Sequence, residues 1–367
     1  MTVSTPDASA AGVGTRPADR LGRAVRGLFP GYFALVMATG IISVGAAQLD
    51  LKPVGVMFYV LAVVAYAVLV ILNLARIVSS RSSIRDDLTS HVKGFAFLTV
   101  VAATNVLGSA TGIVAGWWRA ALVLWWVGLV VWVVLLYTTL ISVVLRQQKP
   151  AFGKGINGTW FLLTVSTESI AVLGALLHLR YPGDLLAFTS LAAFLLGFVL
   201  YLIVMTMVFL RWTFETLEPT EADPPAWIAA GAVAITVLAG SNLLVASGGS
   251  QRLARLAPFV EGVVVTAWTA ATFWFPVMIA IGVWRHLVRR LPLVYHPSYW
   301  ALVFPLGMYS VATLRMVHAI DLDDLGWLPR VSLGVALVAW SATGFGLVQQ
   351  GVRALRPDSG MPGPATP

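Results

Sequence analysis

An all-helical integral membrane protein, with ten spanning helices arranged as five hairpins, is the fold class this sequence predicts. Three observations carry that expectation. First, 58% of the 367 residues are hydrophobic and only 11% are charged, whereas an ordinary soluble domain has about a quarter of its residues charged. So few charges cannot coat a globular surface of this size, so most of the chain must face lipid or other helices. Second, ten apolar runs reach the roughly 20 residues that a helix needs to cross a bilayer. Third, those runs recur at a near-constant interval.

The runs lie near 30–48, 54–79, 92–114, 117–145, 158–178, 184–211, 225–247, 257–287, 297–318 and 327–350. Short connections between them hold most of the charges, as expected where backbone returns to water. This gives one transmembrane domain, 28–352, between tails at 1–27 and 353–367 whose composition predicts disorder. The first tail lacks the apolar core of a secretory signal peptide. Of the 24 Lys and Arg, 17 fall on the side of the two termini, which predicts both termini in the cytoplasm and a location in the cytoplasmic membrane.

Composition also excludes function classes. With no cysteine there is no disulfide and no thiolate chemistry. The five histidines fall at span ends or loops without an HxxxH pair, so neither a metal nor a cofactor is expected. The net charge of +8 reads as topology-setting loop charge, and no motif points to nucleic acid. An integral-membrane enzyme would need a polar constellation near one face, which is absent, and this stays a remote alternative. A receptor or scaffold is disfavoured by the polar residues held within the spans.

The odd-numbered spans open alike, with a turn-former followed by an aromatic: PGYF (30–33), KGFAF (93–97), GTWF (158–161), PPAW (224–227) and HPSYW (296–300). From Phe33 through Phe97, Phe161 and Trp227 to Trp300 the intervals are 64, 64, 66 and 73 residues, the signature of a repeated two-helix unit. Odd spans also concentrate small and polar residues, such as Thr104, Asn105 and Ser109 in the third. Even spans are bulkier, the fourth reading WWRAALVLWWVGLVVWVVLL. Bulk suits lipid, and small residues suit close helix packing. Five odd helices are therefore expected to form an inner ring, wrapped by five even ones.

The stretches PGYFALVMATGIISVG (30–45) and YWALVFPLGMYSVAT (299–313), with the hairpin repeat, resemble the tellurite-resistance/dicarboxylate transporter family over residues 28 to 352. That family includes bacterial tellurite-resistance channels, plant slow anion channels, fungal malate permeases and sulfite efflux pumps. The resemblance implies quasi-five-fold hairpins around a central pore, a homotrimer with one pore per protomer, and a ninth-span phenylalanine that closes the pore. By motif match that residue is Phe304.

A physical case stands beside this one. Pro305 lacks a backbone N–H and disrupts its helix locally, Gly307 gives room, and a ring beside such a break can plug a narrow apolar channel. Core packing is the plainer role for Phe304. Glu168 is the only acidic residue deep within a span. An ionised carboxylate there is costly unless paired or wet, so it either couples a proton to transport or sits neutral against a hydroxyl. Thr39, Thr104, Asn105 and Thr167 could offer hydrogen bonds to a dehydrated anion, with helix packing as the alternative. Arg315, near the outer end of the ninth span and the run Asp321, Asp323 and Asp324, either draws anions to the pore mouth or, as the plainer role, snorkels or pairs with an aspartate. Glu215, Glu218, Glu221 and Asp223 read as a solvated loop.

The function expected is anion transport through a central pore. Two behaviours stay open: a passive pore for small monovalent inorganic anions, and a proton-coupled carrier for C4-dicarboxylates or sulfite. Beyond the anion, the partners expected are the lipid bilayer and two further copies of the chain.

Overall fold

The structure, a computed structural model, describes residues 26–219, 221 and 224–355. The tails expected at 1–27 and 353–367 lie almost wholly outside the described residues. Ten long apolar helices are present among those described: α1 Pro30–Gln48, α2 Lys52–Ser79, α3 Gly94–Ile113, α4 Trp118–Leu145, α5 Gly158–His178, α6 Asp184–Phe214, α7 Pro224–Gly249, α8 Gln251–Val288, α9 Pro297–Ala319 and α10 Leu328–Leu355. The turn-former and aromatic starts have a structural meaning. Each odd helix enters through a 3-10 turn, at Pro30–Phe33, Gly94–Leu98, Gly158–Phe161, Pro224–Trp227 and Pro297–Tyr299.

The largest departure from the expected boundaries is the start of α8, at Gln251 instead of near 257. Ser250 accepts a hydrogen bond from the Leu253 N–H, a cap of the usual kind. The first turns then bury Leu253 and expose Arg252 and Arg255, so a hydropathy scan finds the helix late. A short helix at Arg81–Leu88 was not expected. It is too polar for such a scan, and its Asp87 forms ion pairs with Arg76 and Lys93.

Burial separates odd from even. In the most apolar window of each span, 83–94% of residues are buried in the odd helices and 17–39% in the even ones. Packing order agrees: α1 packs against α3, α3 against α5, α5 against α7, α7 against α9 and α9 against α1, a closed circuit. Each even helix packs against its own hairpin partner and against the next odd helix, so it lies in the groove between two inner neighbours.

Glycine sets how closely the inner helices meet. A Cβ on Gly231 of α7 would stand 2.7 Å from the Pro305 ring of α9, and one on Gly307 of α9 would stand 2.8 Å from Ile41 of α1. Gly40 against Val106 joins α1 to α3 in the same way, and Gly108 against Leu173 joins α3 to α5. Small residues at helix contacts are the main source of association where no hydrophobic effect acts between helices. At mid-membrane the α5–α7 seam differs: there Thr236 donates to Glu168 at 2.9 Å.

Hydrogen bonds from outer to inner helices repeat with the hairpins. Trp132 Nε1 of α4 donates to Thr167 of α5, Trp268 Nε1 of α8 to Thr313 of α9, and Trp340 Nε1 of α10 to Thr39 of α1, each at 3.0 Å. Tyr66 of α2 meets Thr104 of α3 at 2.8 Å. Because Thr104 gives its own proton to the Val100 carbonyl, Tyr66 is the donor. Hydrogen bonds of this kind in a membrane are worth ~0.6 kcal/mol on average, so Trp132→Phe should lower stability by about that amount. Adding Thr167→Val should cost little more. Unfolding in detergent, compared across both single variants and the double, checks the coupling.

Candidate functional site

Along the axis the five inner helices leave two small cavities. The one nearer the face that carries the termini is bordered by Met37, Thr99, Leu162, Ile228 and Phe304, one from each inner helix. The second is bordered by Ile41, Asn105, Ser169, Asn242 and Met308, again one from each. Each has a volume of ≈ 20 Å³, room for about one water. Phe304 and Met308, one turn apart on α9, stand at the level that divides them.

Phe304 is 2% exposed. Its position follows from the residue after it, because the Pro305 ring is seated against Gly231 and fixes α9 against α7 at that turn. The ninth span nevertheless stays helical from Trp300 to Ala319 through the proline. Pro305 leaves the Ala301 carbonyl without its usual donor, and Ala301 borders the first cavity. Gly307, expected to give room beside the proline, faces Ile41 and serves the α1–α9 contact.

The first cavity continues into a wide funnel on the terminal face, of ≈ 870 Å³, with which it shares Phe29, Thr159, Pro225 and Ser298. Arg26, Arg76, Lys93 and Arg285 line this funnel against a single carboxylate, Asp87. His296 adds no charge: burial pushes its imidazole below the usual value, and its Nδ1 accepts from the Ser298 N–H at 3.2 Å. Among the described residues that line it, the funnel is therefore electropositive. Arg76 was counted only as loop charge, yet it is 1% exposed and held by Asp87 and Ser83.

On the opposite side, Arg315 Nε donates to Asn242 Oδ1 at 2.8 Å. The aspartate pairing expected of Arg315 is corrected. Among the described residues no carboxylate lies within ion-pair distance of it, because its guanidinium turns inward to the second cavity's rim. Glu221, expected to be solvated, is also corrected, since it pairs with the buried Arg211 at 3.0 Å.

Thr39, Thr104 and Thr167 border neither cavity. Each gives its hydroxyl proton to the carbonyl four residues back and accepts from an outer-helix aromatic. Five aromatics at matching positions, Tyr66, Trp132, Tyr201, Trp268 and Trp340, recur every 66 to 72 residues. That interval was the available signal for the four contacts made by Tyr66, Trp132, Trp268 and Trp340. Asn105 does border the second cavity, with its amide donating to Ser169 Oγ at 3.1 Å and lying against Gly128.

Glu168 is fully buried and also borders neither cavity. Oε1 accepts from Thr236, and Oε2 has no partner among the described residues. Its side chain fills the space left by Gly197 of α6. The carboxyl is thus lodged between α5, α6 and α7, away from the axis.

With this geometry in view, comparison with known proteins is decisive. A family model described as voltage-dependent anion channel matches residues 28–348. The chain belongs to that family. The match confirms the tellurite-resistance/dicarboxylate transporter resemblance. Relatives include an uncharacterized membrane protein of Mycobacterium tuberculosis, 35% identical over 39% of this chain and 73% of that protein. Two uncharacterized transporters of Methanocaldococcus jannaschii are 24% and 23% identical, over 81% and 79% of this chain and 85% and 84% of their own lengths. Membership in this anion channel family makes the chain a membrane transport protein.

Within the family fold, Gly197 is a sharp test of where Glu168 lies. A Cβ at position 197 would stand 2.6 Å from Glu168 Cγ, so Gly197→Ala should destabilise by roughly 1–3 kcal/mol, the usual cost of overpacking. Combining it with Glu168→Ala should recover part of that loss. Thermal unfolding of the four proteins in detergent measures the coupling, and strictly additive losses would place the carboxyl elsewhere.

Proposed function

We propose that this protein conducts small anions along the axis of its five inner helices, with the Phe304 ring as the closure. The observation that carries this reading is that both axial cavities draw one or more residues from each inner helix and meet at the level of Phe304 and Met308. An electropositive funnel leads to one cavity, and Arg315 lies behind Asn242, which borders the other. Both attract anions, and low-dielectric walls focus such fields. Selection between the two ends rests on hydroxyl and amide dipoles, with no charged side chain bordering either cavity.

A passive pore is favoured over a proton-coupled carrier. Glu168, the one carboxyl deep in a span, lies off the axis among α5, α6 and α7. The narrow cavities favour small monovalent inorganic anions over C4-dicarboxylates. On this reading the funnel opens to the cytoplasm and the protein works in the cell membrane as a homotrimer, as the family resemblance implies.

Replacing the ring with a methyl group should open the path. Phe304→Ala, reconstituted in proteoliposomes, should raise chloride or nitrate conductance at least ~10-fold over the unsubstituted protein, an effect expected when a hydrophobic constriction that gates by dewetting is removed. Unchanged conductance in a folded Phe304→Ala protein would sink the gate assignment.

A further inference from the structure

The contact between Arg315 and Asn242 has a consequence for selectivity. A guanidinium offers only donors, so the atom of Asn242 that faces Arg315 Nε is fixed as the carbonyl oxygen Oδ1. The Nδ2 group then points the other way. Among the described residues its one partner is the Val172 carbonyl, at a long 3.5 Å, and an amide nitrogen carries two protons. Asn242 is 1% exposed and borders the second cavity together with Ser109 and Val172. One N–H of a buried amide is therefore left to serve that cavity, and it cannot rotate away without setting an amide N–H against a guanidinium N–H.

We propose that Asn242 is an anion-binding residue of the second cavity, one stage beyond Phe304, and that Arg315 is a positioning residue that holds its amide with the donor side toward the anion. The ligand class is a small monovalent anion that has shed most of its water, such as chloride or nitrate. The inference rests on the axial reading above and adds to it a place where the anion is held. A buried N–H beside a half-buried guanidinium replaces part of the lost hydration, and donors to an ion are stronger than donors to a neutral group. Arg315 acts through the amide because its Nε is spent on Oδ1 and Arg315 itself does not border the second cavity. That separates it from a cation that only raises the local anion concentration.

Permeability ratios distinguish the two. In planar bilayers, reversal potentials of the Phe304→Ala protein under chloride/thiocyanate gradients report how well the path repays dehydration. Asn242→Leu and Arg315→Gln, each in that background, should shift the ratio toward thiocyanate, the anion that dehydrates easily, by roughly five- to ten-fold for one lost bond to an ion. The double variant should shift it no further. Asn242→Asp, of nearly equal size, guards against misfolding of the leucine variant: its carboxylate pairs with Arg315 and should suppress anion current. If Arg315→Gln lowers current only at low salt and leaves the ratio unchanged, Arg315 merely steers ions and the proposal is overturned. Ratios that ignore Asn242→Leu, in a protein that conducts, overturn the site alone. A Phe304→Ala protein that carries no anion current overturns the axial reading and this site together.

Discussion

Close approach of five helices is the constraint from which the remainder of this structure follows. Water drives helices together in soluble proteins, but within a bilayer the lipid tails are as apolar as leucine, and contact depends on backbones meeting closely. Gly231 receives the Pro305 ring, Gly307 admits Ile41, Gly40 admits Val106 and Gly108 admits Leu173. These notches draw the inner circuit tight enough that the two axial cavities described above are each only ≈ 20 Å³. The same contact that seats Pro305 also fixes the level of Phe304. Packing and closure are thus one feature of α9.

Polar groups are distributed by the same logic. A hydroxyl in hydrocarbon needs a partner, and a pore lined by strong partners would hold an anion too tightly to release it. The fold sends the hydroxyls of Thr39, Thr104, Thr167 and Thr313 outward to aromatic donors on the even helices. What remains toward the axis is mostly apolar, with a few amides and serines. The α5–α7 seam departs from this scheme, since Thr236 there meets Glu168 of the neighbouring inner helix. The carboxyl has become part of the packing between hairpins.

Much of this could be read in the chain. Hydropathy runs located all ten helices, because length and apolarity are what a bilayer demands. The turn-former and aromatic starts located the repeat, and the contrast of small with bulky residues assigned inner and outer helices. Phe304 was singled out through a motif; it borders the first cavity, and its role as the closure is the proposal made above. The outward contacts of the threonines were not legible for a definite reason: a hydroxyl on an inner helix looks the same in sequence whichever way it faces. Only the aromatic interval from Tyr66 to Trp340 carries that information. Arg315 was read against the nearest aspartates along the chain, whereas its partner, Asn242, is 73 residues away. Gly197, which leaves room for Glu168, has no local signature, because a notch is defined by what fills it.

The central claim is that the axis of the inner helices is the permeation path and that the threonines are outside it. The chain contains no cysteine, so single cysteines can be placed without background. In the Phe304→Ala protein, the account predicts that Ala301→Cys reacts with a membrane-impermeant thiol reagent from the face of the termini. Val311→Cys should react from the opposite face, and modification at either position should block anion flux. Thr167→Cys should stay unmodified from both sides. Reaction at Thr167→Cys with protection at the two axial positions, or modification of those positions without loss of flux, would contradict it.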